Sequence, residues 1–524
     1  MNINTPFVTP RKIFGSSQLH IPCDMCIICF CPMPLFFAQY QLKQEIDVHR
    51  LFLHLHPNHV IYCQYQNINF IVCAEVYGGP VSVSVVEELW NYGISNILGL
   101  GYVGSFDSKI SIGDNICSNK SLIEYSTSHH YLQSQTQNNL LWIESDTSIE
   151  NILTKRLSSH TVWTTNAIYR EYRDDIFLAK SVGCSVVNMD TAPLFTSCKK
   201  LNMNYGYVAT VTDFIDTTDT TDTPDIIDTT NTTNTTDTTD IIDITWSNNL
   251  TKSVNLGNDS QNDLVEFIVQ TIPKIHDLMI SKYEDKCSNI SSQVEKFFNE
   301  INICKSHNIE HINRVVEHTI RALEHETTIT NRIKFLIKIA ALTHDVDDIK
   351  FTTTNSYSNA RGILSNVGFC QEDIDLVVEM ISYVSSTENG DTIPDRAKIF
   401  PWLLIPRHVD RLDAMGINGV IRCYQYTKTK NRPLYNTNTP KPSCIDNVWN
   451  IATVERYGKY NGNSLSMIDH YYDKLLQLGN FPTNNPYVKS IKDKALKPLL
   501  EIINVFINDK LTDNYFELMI SSNK

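Results

Sequence analysis

The sequence predicts two domains of different class, an α/β domain followed by an all-α domain. Three observations carry this. Residues 60–213 alternate strand-like and helix-like segments, the order of a layered α/β sandwich. From residue 294 on, apolar residues recur at spacings of three and four with few strand signals, the pattern of packed helices. Between them, residues 214–246 form a tract of Asp and Thr too poor in apolar residues to fold. A chain of 524 residues is long enough for two full cores.

Taken in order, the chain begins with Cys23, Cys26, Cys29 and Cys31 in IPCDMCIICFCPMPLFF. Four thiolates can hold zinc or an iron-sulfur group, but a Cys-x-Cys step of strand character suits a closed tetrahedral site poorly. The competing reading is a strand that uses Cys as a small hydrophobe. Asp24 and Pro32 break the run, which is too short to span a bilayer, and the basic start followed at once by an apolar core that marks a signal peptide is not expected here. FIVCAEVYGGP reads as a strand ending in a glycine turn, SVSVVEELWNYG as an amphipathic helix and ISNILGLG as the next buried strand. CSVVNM, APLFTSCKKLN and YGYVATVTD repeat strand, helix, strand, which implies a mainly parallel sheet with ligands beyond the carboxyl ends of its strands.

In the tract that follows, Asp, or Asn at 231 and 234, recurs every third residue, a period that fits neither helix nor strand. It reads as a disordered insertion at 214–246, and it lacks the glycines of a calcium-binding repeat. QNDLVEFIVQTIPKIHDLMI has helical spacing and closes the first domain, so the boundary falls near 281–293. The domains are then 30–280 and 290–520.

The all-α part contains HINRVVEH, AALTHDVDDIKF and PRHVDRLDAMG. His344 and Asp345 end an apolar helix, Ile333 to Leu342, where burying an imidazole and a carboxylate is costly without a partner. A metal cation is one such partner. His311 lies on a helix with apolar Ile312, Val315, Val316, Ile320 and Leu323, and Asp410 carries an acid into a third helical stretch. Two imidazoles and two carboxylates make a mixed set suited to one divalent ion, Mn, Fe, Zn or Mg.

A net charge of -14 argues against nucleic acid as a partner. Fourteen scattered cysteines suggest reduced thiols and a cytoplasmic location, with no membrane partner.

The order His, His-Asp, Asp resembles the HD superfamily of metal-dependent phosphohydrolases. HVDRLDAMGINGVIRCYQY and MIDHYYDKLLQL are similar to two further signatures of one HD subfamily, and the resemblance covers roughly 290–520. It implies His311, His344, Asp345 and Asp410 as metal ligands, with Asp410 preferred over Asp413, and an all-α HD domain. His408 stands where that subfamily usually has Asp. Tyr357 and Tyr383 fall near places where two-metal members bring histidines, which favours a single ion. An ion there would activate water for attack on phosphorus. Asp348 is a candidate to orient that water or take its proton. Arg314, Lys350, Arg411, Arg422, His470 and Lys474 are candidate phosphate or leaving-group contacts.

YGGPVSVSVVEEL, ILGLGYVGSF, SIGDNI, STSHHYL, VWTTNAIYREY, VVNMDTAPLF and VTD resemble the purine-nucleoside and uridine phosphorylase family. The resemblance implies that Met189 and Asp190 hold a ribose and that Asp213 helps the base to leave. Glycines 78, 79, 101 and 104 would let backbone approach phosphate and sugar. Two features depart from the family: Asp190 replaces a glutamate, and Gly99 and Tyr102 stand where many members carry a phosphate-binding arginine and a serine or threonine.

The expected activity is hydrolysis of a nucleotide phosphoester or pyrophosphate by the second domain. The alternatives are a nucleoside phosphorylase or nucleosidase as the main activity, or a degenerate nucleoside sensor that regulates the HD domain. The expected partner is a small-molecule nucleotide or nucleoside, and analogy with phosphorylases suggests a homo-oligomer.

Overall fold

The computed structural model describes residues 8–10, 13, 21–42, 52–132, 140–215, 246–301, 309–348, 352, 356–385 and 392–522, with side chains of 246–259 set aside. Nearly all of the Asp/Thr tract, and also Lys350, lie outside the described residues. The chain forms two compact units, Met1–Ser281 and Lys282–Lys524.

The first unit is built on nine strands: β1 (Met25–Cys29), β2 (Val60–Tyr65), β3 (Ile68–Cys73), β4 (Asn96–Ser105), β5 (Asn115–Ile123), β6 (Leu141–Glu144), β7 (Ser158–Thr164), β8 (Val186–Asn188) and β9 (Asn204–Phe214). They form one sheet in the order β2-β3-β1-β4-β8-β7-β5-β6, and β9 pairs with both β4 and β5. That double pairing closes a ring of β4, β8, β7, β5 and β9.

The sheet is mixed but mainly parallel, as expected: the pairs β1–β3, β1–β4, β4–β9, β5–β7 and β7–β8 are parallel. The pairs β2–β3, β4–β8, β5–β6 and β5–β9 are antiparallel. At β2–β3 the cause is local: Gln66 and Asn67 both take positive φ, 48° and 63°, and make the tight turn of a hairpin.

Successive residues of a strand face opposite sides, and β1 shows what that does here. Met25, Ile27, Cys29 and Cys31 share a core with Leu264, Val265, Ile268 and Ile272. Those four apolar residues form a stripe on helix α3, Trp246–Glu300. Cys23, Cys26, Ile28 and Phe30 share the other core with Val85, Val86 and Leu89 of α1 (Gly79–Asn91) and Leu194 and Phe195 of α2 (Thr191–Lys200). The four N-terminal thiols therefore fall in two layers and do not face one point. Burial pushes the thiols of Cys23, Cys26 and Cys29 well above their ordinary range, against the thiolate that a metal needs.

The β4–β9 ladder slips by one residue. Val103 pairs with Val211, but Gly104 pairs with Asp213, leaving Thr212 as the extra residue of a bulge. The Thr212 hydroxyl donates to the Asp213 carboxylate at 2.8 Å. Neighbours in a regular strand point to opposite faces, so this contact reports the bulge independently.

The division between the units falls within α3, and no loop marks it: SKYEDKCSNISSQ is helical. In the second unit the principal helices are α4 (Ile309–Leu323), α5 (Asn331–Thr343), α6 (Gln371–Ser382), α7 (Ile405–Asp413), α8 (Gly416–Thr429) and α9 (Pro486–Ile507). One core joins Ile312, Val315 and Leu323 of α4, Leu336, Ile337 and Ile339 of α5, Val377 of α6 and Val409 and Leu412 of α7. Burying each large aliphatic side chain contributes roughly 1.5–3 kcal/mol. Ile320, expected on the apolar face of α4, is exposed. A second core gathers Val420 and Tyr424 of α8 with Tyr471, Tyr472 and Leu499.

The Thr330 side chain caps α5 by accepting from the Ile333 N–H. At the other end the chain leaves the helix at His344, whose ring Nδ1 reaches back to the Ala341 carbonyl at 2.9 Å. That bond satisfies one of the carbonyls left open where a helix stops. Among the described residues, no helix is long and apolar enough to cross a membrane.

Candidate functional site

The first turns of α4, the end of α5 and the middle of α7 bring together the side chains that the sequence places in order. The Nε2 of His311 lies 3.3 Å from Asp410 Oδ1 and 3.5 Å from Asp345 Oδ2. The Nε2 of His344 lies 3.3 Å from Asp345 Oδ1 and 3.6 Å from Asp410 Oδ1. Ligand atoms of His311, His344 and Asp410 all fall within 4.8 Å of one another. Ligands bound at about 2.1 Å in a tetrahedral shell sit about 3.4 Å apart, so these spacings fit a metal ion.

The orientation of the rings fits it as well. Asp413 accepts a hydrogen bond from His311 Nδ1 at 2.7 Å, and the Ala341 carbonyl accepts one from His344 Nδ1. A carboxylate and a carbonyl can only accept, so both Nδ1 atoms carry protons. Each ring then turns its Nε2 lone pair inward, the arrangement that metal-bound histidines use. His344 Nε2 is buried and has no hydrogen-bond partner. The side chain of Asp410 is 29% exposed, so the cluster opens to solvent on one side.

Electrostatics pull the same groups in opposite directions. Burial alone would lower the His344 imidazole, but Asp345 and Asp410 outweigh it and lift it to about 10. Burial also opposes the charged form of His311, and the carboxylates of Asp410, Asp413 and Asp345 again win and raise it. Burial would raise Asp410 and Asp413. Their histidine partners, joined at Asp413 by Arg314 and Arg422, hold both low. A divalent cation would take the place of the protons that neutralise these acids.

Several expected contacts have other uses. Arg314 donates to Asp413 from Nε at 2.5 Å and from Nη2 at 3.2 Å, and Arg422 donates to the same carboxylate at 2.6 Å. Both arginines, predicted as phosphate contacts, instead secure the acid that holds His311. Asp413 is almost fully buried and needs those donors. Arg411 is buried, with its guanidinium 5.7 Å over the Phe481 ring. His470 Nδ1 lies 3.3 Å from the Tyr460 hydroxyl, and Lys474 Nζ lies 5.8 Å from the Tyr460 ring centre. Tyr460 in turn lines a surface hollow of about 390 Å³ with Arg456, Lys459, Asn463 and Asp473. Asp348 is half-buried, just after Asp345. His408 stacks on Phe481 at 4.3 Å, and burial pushes its imidazole down to about 3. The Tyr383 hydroxyl donates to Glu379.

In the first unit, the residues singled out by sequence lie at and near the strand ends. Asp190 follows β8 and is buried. Its backbone N–H and that of Thr191 donate to Asn188 Oδ1. Met189, beside it, is half-buried. Burial raises the Asp190 carboxyl to about 8, against a lowering hydrogen bond from the Tyr207 hydroxyl at 3.4 Å. Asp213 is half-buried on β9 and raised by burial.

Comparison with known proteins fits this unit. The model of the phosphorylase superfamily matches residues 26–244. The N-terminal half of this chain is a phosphorylase-superfamily domain. The uncharacterized protein R802 of Acanthamoeba polyphaga mimivirus is 37% identical over 272 residues, 51% of this chain and 98% of R802. The uncharacterized protein L803 of the same virus is 36% identical over 235 residues, 41% of this chain and 93% of L803. The chain belongs to one family with these two proteins. The uridine phosphorylase of Haemophilus influenzae is 24% identical over 157 residues, 27% of this chain and 62% of the enzyme.

Within the phosphorylase-superfamily domain, the domain's own side chains stand over three glycines of β4. A Cβ at Gly101 would lie 2.2 Å from the Tyr207 hydroxyl, and one at Gly99 would lie 2.6 Å from the Tyr207 ring and from Leu194. A Cβ at Gly104 would meet Asp213 Oδ2 at 2.7 Å. On β4 the spaces are thus taken by the domain's own side chains. Tyr102, one of the departures from the family pattern, accepts a hydrogen bond from Gln261 of α3. Gly78 takes φ 80° and opens α1, as a turn requires. Sequence reasoning passed over Tyr207; a tyrosine inside a strand reads as ordinary β-propensity.

Proposed function

We propose that the chain is a divalent-metal-dependent phosphohydrolase of the HD type, acting through its second unit on a nucleotide phosphoester or pyrophosphate. The observation that carries this is the convergence of His311 Nε2, His344 Nε2 and the carboxylates of Asp345 and Asp410, with both Nδ1 atoms tied outward. A divalent ion held there, Mn, Fe, Zn or Mg, would polarise a phosphoryl oxygen and lower the pKa of its bound water.

The chain's own residues have distinct parts. His311 and His344 donate lone pairs, and Asp345 and Asp410 supply negative charge. Asp413 keeps His311 in the ligating tautomer, with Arg314 and Arg422 holding Asp413 in turn. Asp348 follows Asp345 closely and is the candidate to take a proton from the attacking water. The phosphorylase-superfamily domain and the similarity to a uridine phosphorylase favour a nucleoside-type substrate.

The test uses the full chain, with bound metal measured directly and phosphate release followed over a nucleotide panel with added Mn. His344→Ala should remove the bound metal and lower phosphate release at least ~100-fold. Undiminished release in that variant would sink the reading. The rival, cleavage of an N-glycosidic bond by the first unit, predicts base release that Asp213→Ala abolishes and His344→Ala does not.

A further inference from the structure

The unusual feature of the first unit is what stands over the glycines of β4. Gly99 and Tyr207 are direct partners in the parallel β4–β9 ladder, and Gly101 lies two residues on, on the same face. Two glycines on one face of one strand leave a hollow. An empty hollow is costly, about 24 cal/mol per Å³, so something must fill it. Tyr207 does. Its ring crosses Gly99, its hydroxyl stands over Gly101, and Phe30 packs against it with ring centres 5.9 Å apart. The side chain is almost entirely buried.

A buried tyrosine hydroxyl needs a polar partner. Tyr207 finds Asp190, an acid that is itself buried and fixed by Asn188. Asn188 is held in turn, donating to Thr191 at 2.8 Å and accepting from Thr164 at 3.3 Å. So the backbone of Asp190 is pinned, and the group its carboxyl meets is a hydroxyl on a flat ring. That is the chemistry a sugar hydroxyl would bring from outside, supplied here from within.

We propose that Tyr207 is a built-in occupant of the phosphorylase-superfamily domain: its ring fills the hollow over Gly99 and Gly101, its hydroxyl takes the place of a ligand hydroxyl on Asp190, and nucleosides are thereby excluded. The claim concerns the first unit only and stands apart from the metal centre of the second. It accounts for both glycines together, since any larger residue at 99 or 101 would expel the ring. It makes Tyr207, more than the short side chain of Asp190, the residue that decides what this domain accepts.

The test compares the full-length wild type with Tyr207→Phe and Tyr207→Ala by thermal unfolding, with inosine, adenosine, uridine and phenol as probes. The wild type and Tyr207→Phe, which keeps the ring, should show no shift with the nucleosides. Tyr207→Ala should unfold at lower temperature and regain about 3 °C or more with phenol or with at least one nucleoside at roughly ten times its Kd. Near-UV circular dichroism checks that the variant is folded; if it is not, Tyr207→Leu, which vacates the hydroxyl position, is tested in the same way. A folded variant stabilised by none of the probes would overturn the proposal. So would a nucleoside-induced shift in the wild type that Asp190→Asn removes.

Discussion

Both units gather buried acids, and they complete them in opposite ways. In the first, Asp190 ends on a tyrosine hydroxyl, and the glycines beside it are covered by the same ring. In the second, the outward nitrogens of two imidazoles are bonded and the inward ones are aimed at a shared point. A buried nitrogen without a hydrogen bond is rare, and each case asks for a reason. The difference teaches that a cluster of titratable residues is not yet a site. What separates the two is whether the chain has already supplied the missing partner.

The contrast can be broken first at Asp413. Asp413→Asn keeps the shape of the side chain but removes the charge that fixes the His311 ring. Metal affinity in a direct titration should fall about 10- to 100-fold. An unchanged affinity would reduce Asp413 to a packing residue and weaken the claim that the second unit is built around an ion.

The next test lies in the first unit and reads pH. The Asp190 carboxyl sits near 8 when folded, against 3.8 for the free side chain. Between those values the folded chain holds a proton that the unfolded chain has lost, so stability falls as pH rises through that window and levels off above it. Asp190→Asn should flatten this slope, a change of a few kcal/mol across the window in denaturant titrations. A slope that survives the substitution would mean that Asp190 is not held as a neutral acid against Tyr207.

The smallest effect is expected at His408. It is neutral, stacked on Phe481 and aimed at no acid. His408→Phe should preserve the stack and change stability by less than about 1.5 kcal/mol, measured by chemical unfolding. It should also remove a loss of stability on acidification, because the buried imidazole resists protonation below its ordinary value of 6.5. A large loss of bound metal in this variant would extend the centre beyond the residues described.

The architecture was readable wherever it is local. Continuous apolar runs mark β1, β4 and α5, helical spacing marks α1 and α7, and a His-Asp pair ending an apolar helix is a conspicuous expense. Partners far apart along the chain were not readable. Arg314 and Arg422 look like phosphate contacts because nothing local spends their charge; Asp413, 99 residues from Arg314, spends it. Asp347, in a run of acids, accepts from the N–H groups of Asn359 and Ala360 at the start of the next helix. The antiparallel β5–β9 pair went unseen because the sequence keeps those two strands well apart. The unit boundary lies inside a helix whose charged, turn-like composition suggested an opening in the chain.

The one-residue slip in the β4–β9 ladder has a consequence for how this chain can vary. Thr212 is the residue without a place in the ladder, so its removal would leave Asp213 opposite Gly104 and on the same face. The edge would become even, and the hydroxyl that donates to the Asp213 carboxylate would be gone. Evolution can therefore shorten this edge by one codon without turning the acid, and what it gives up is that hydrogen bond.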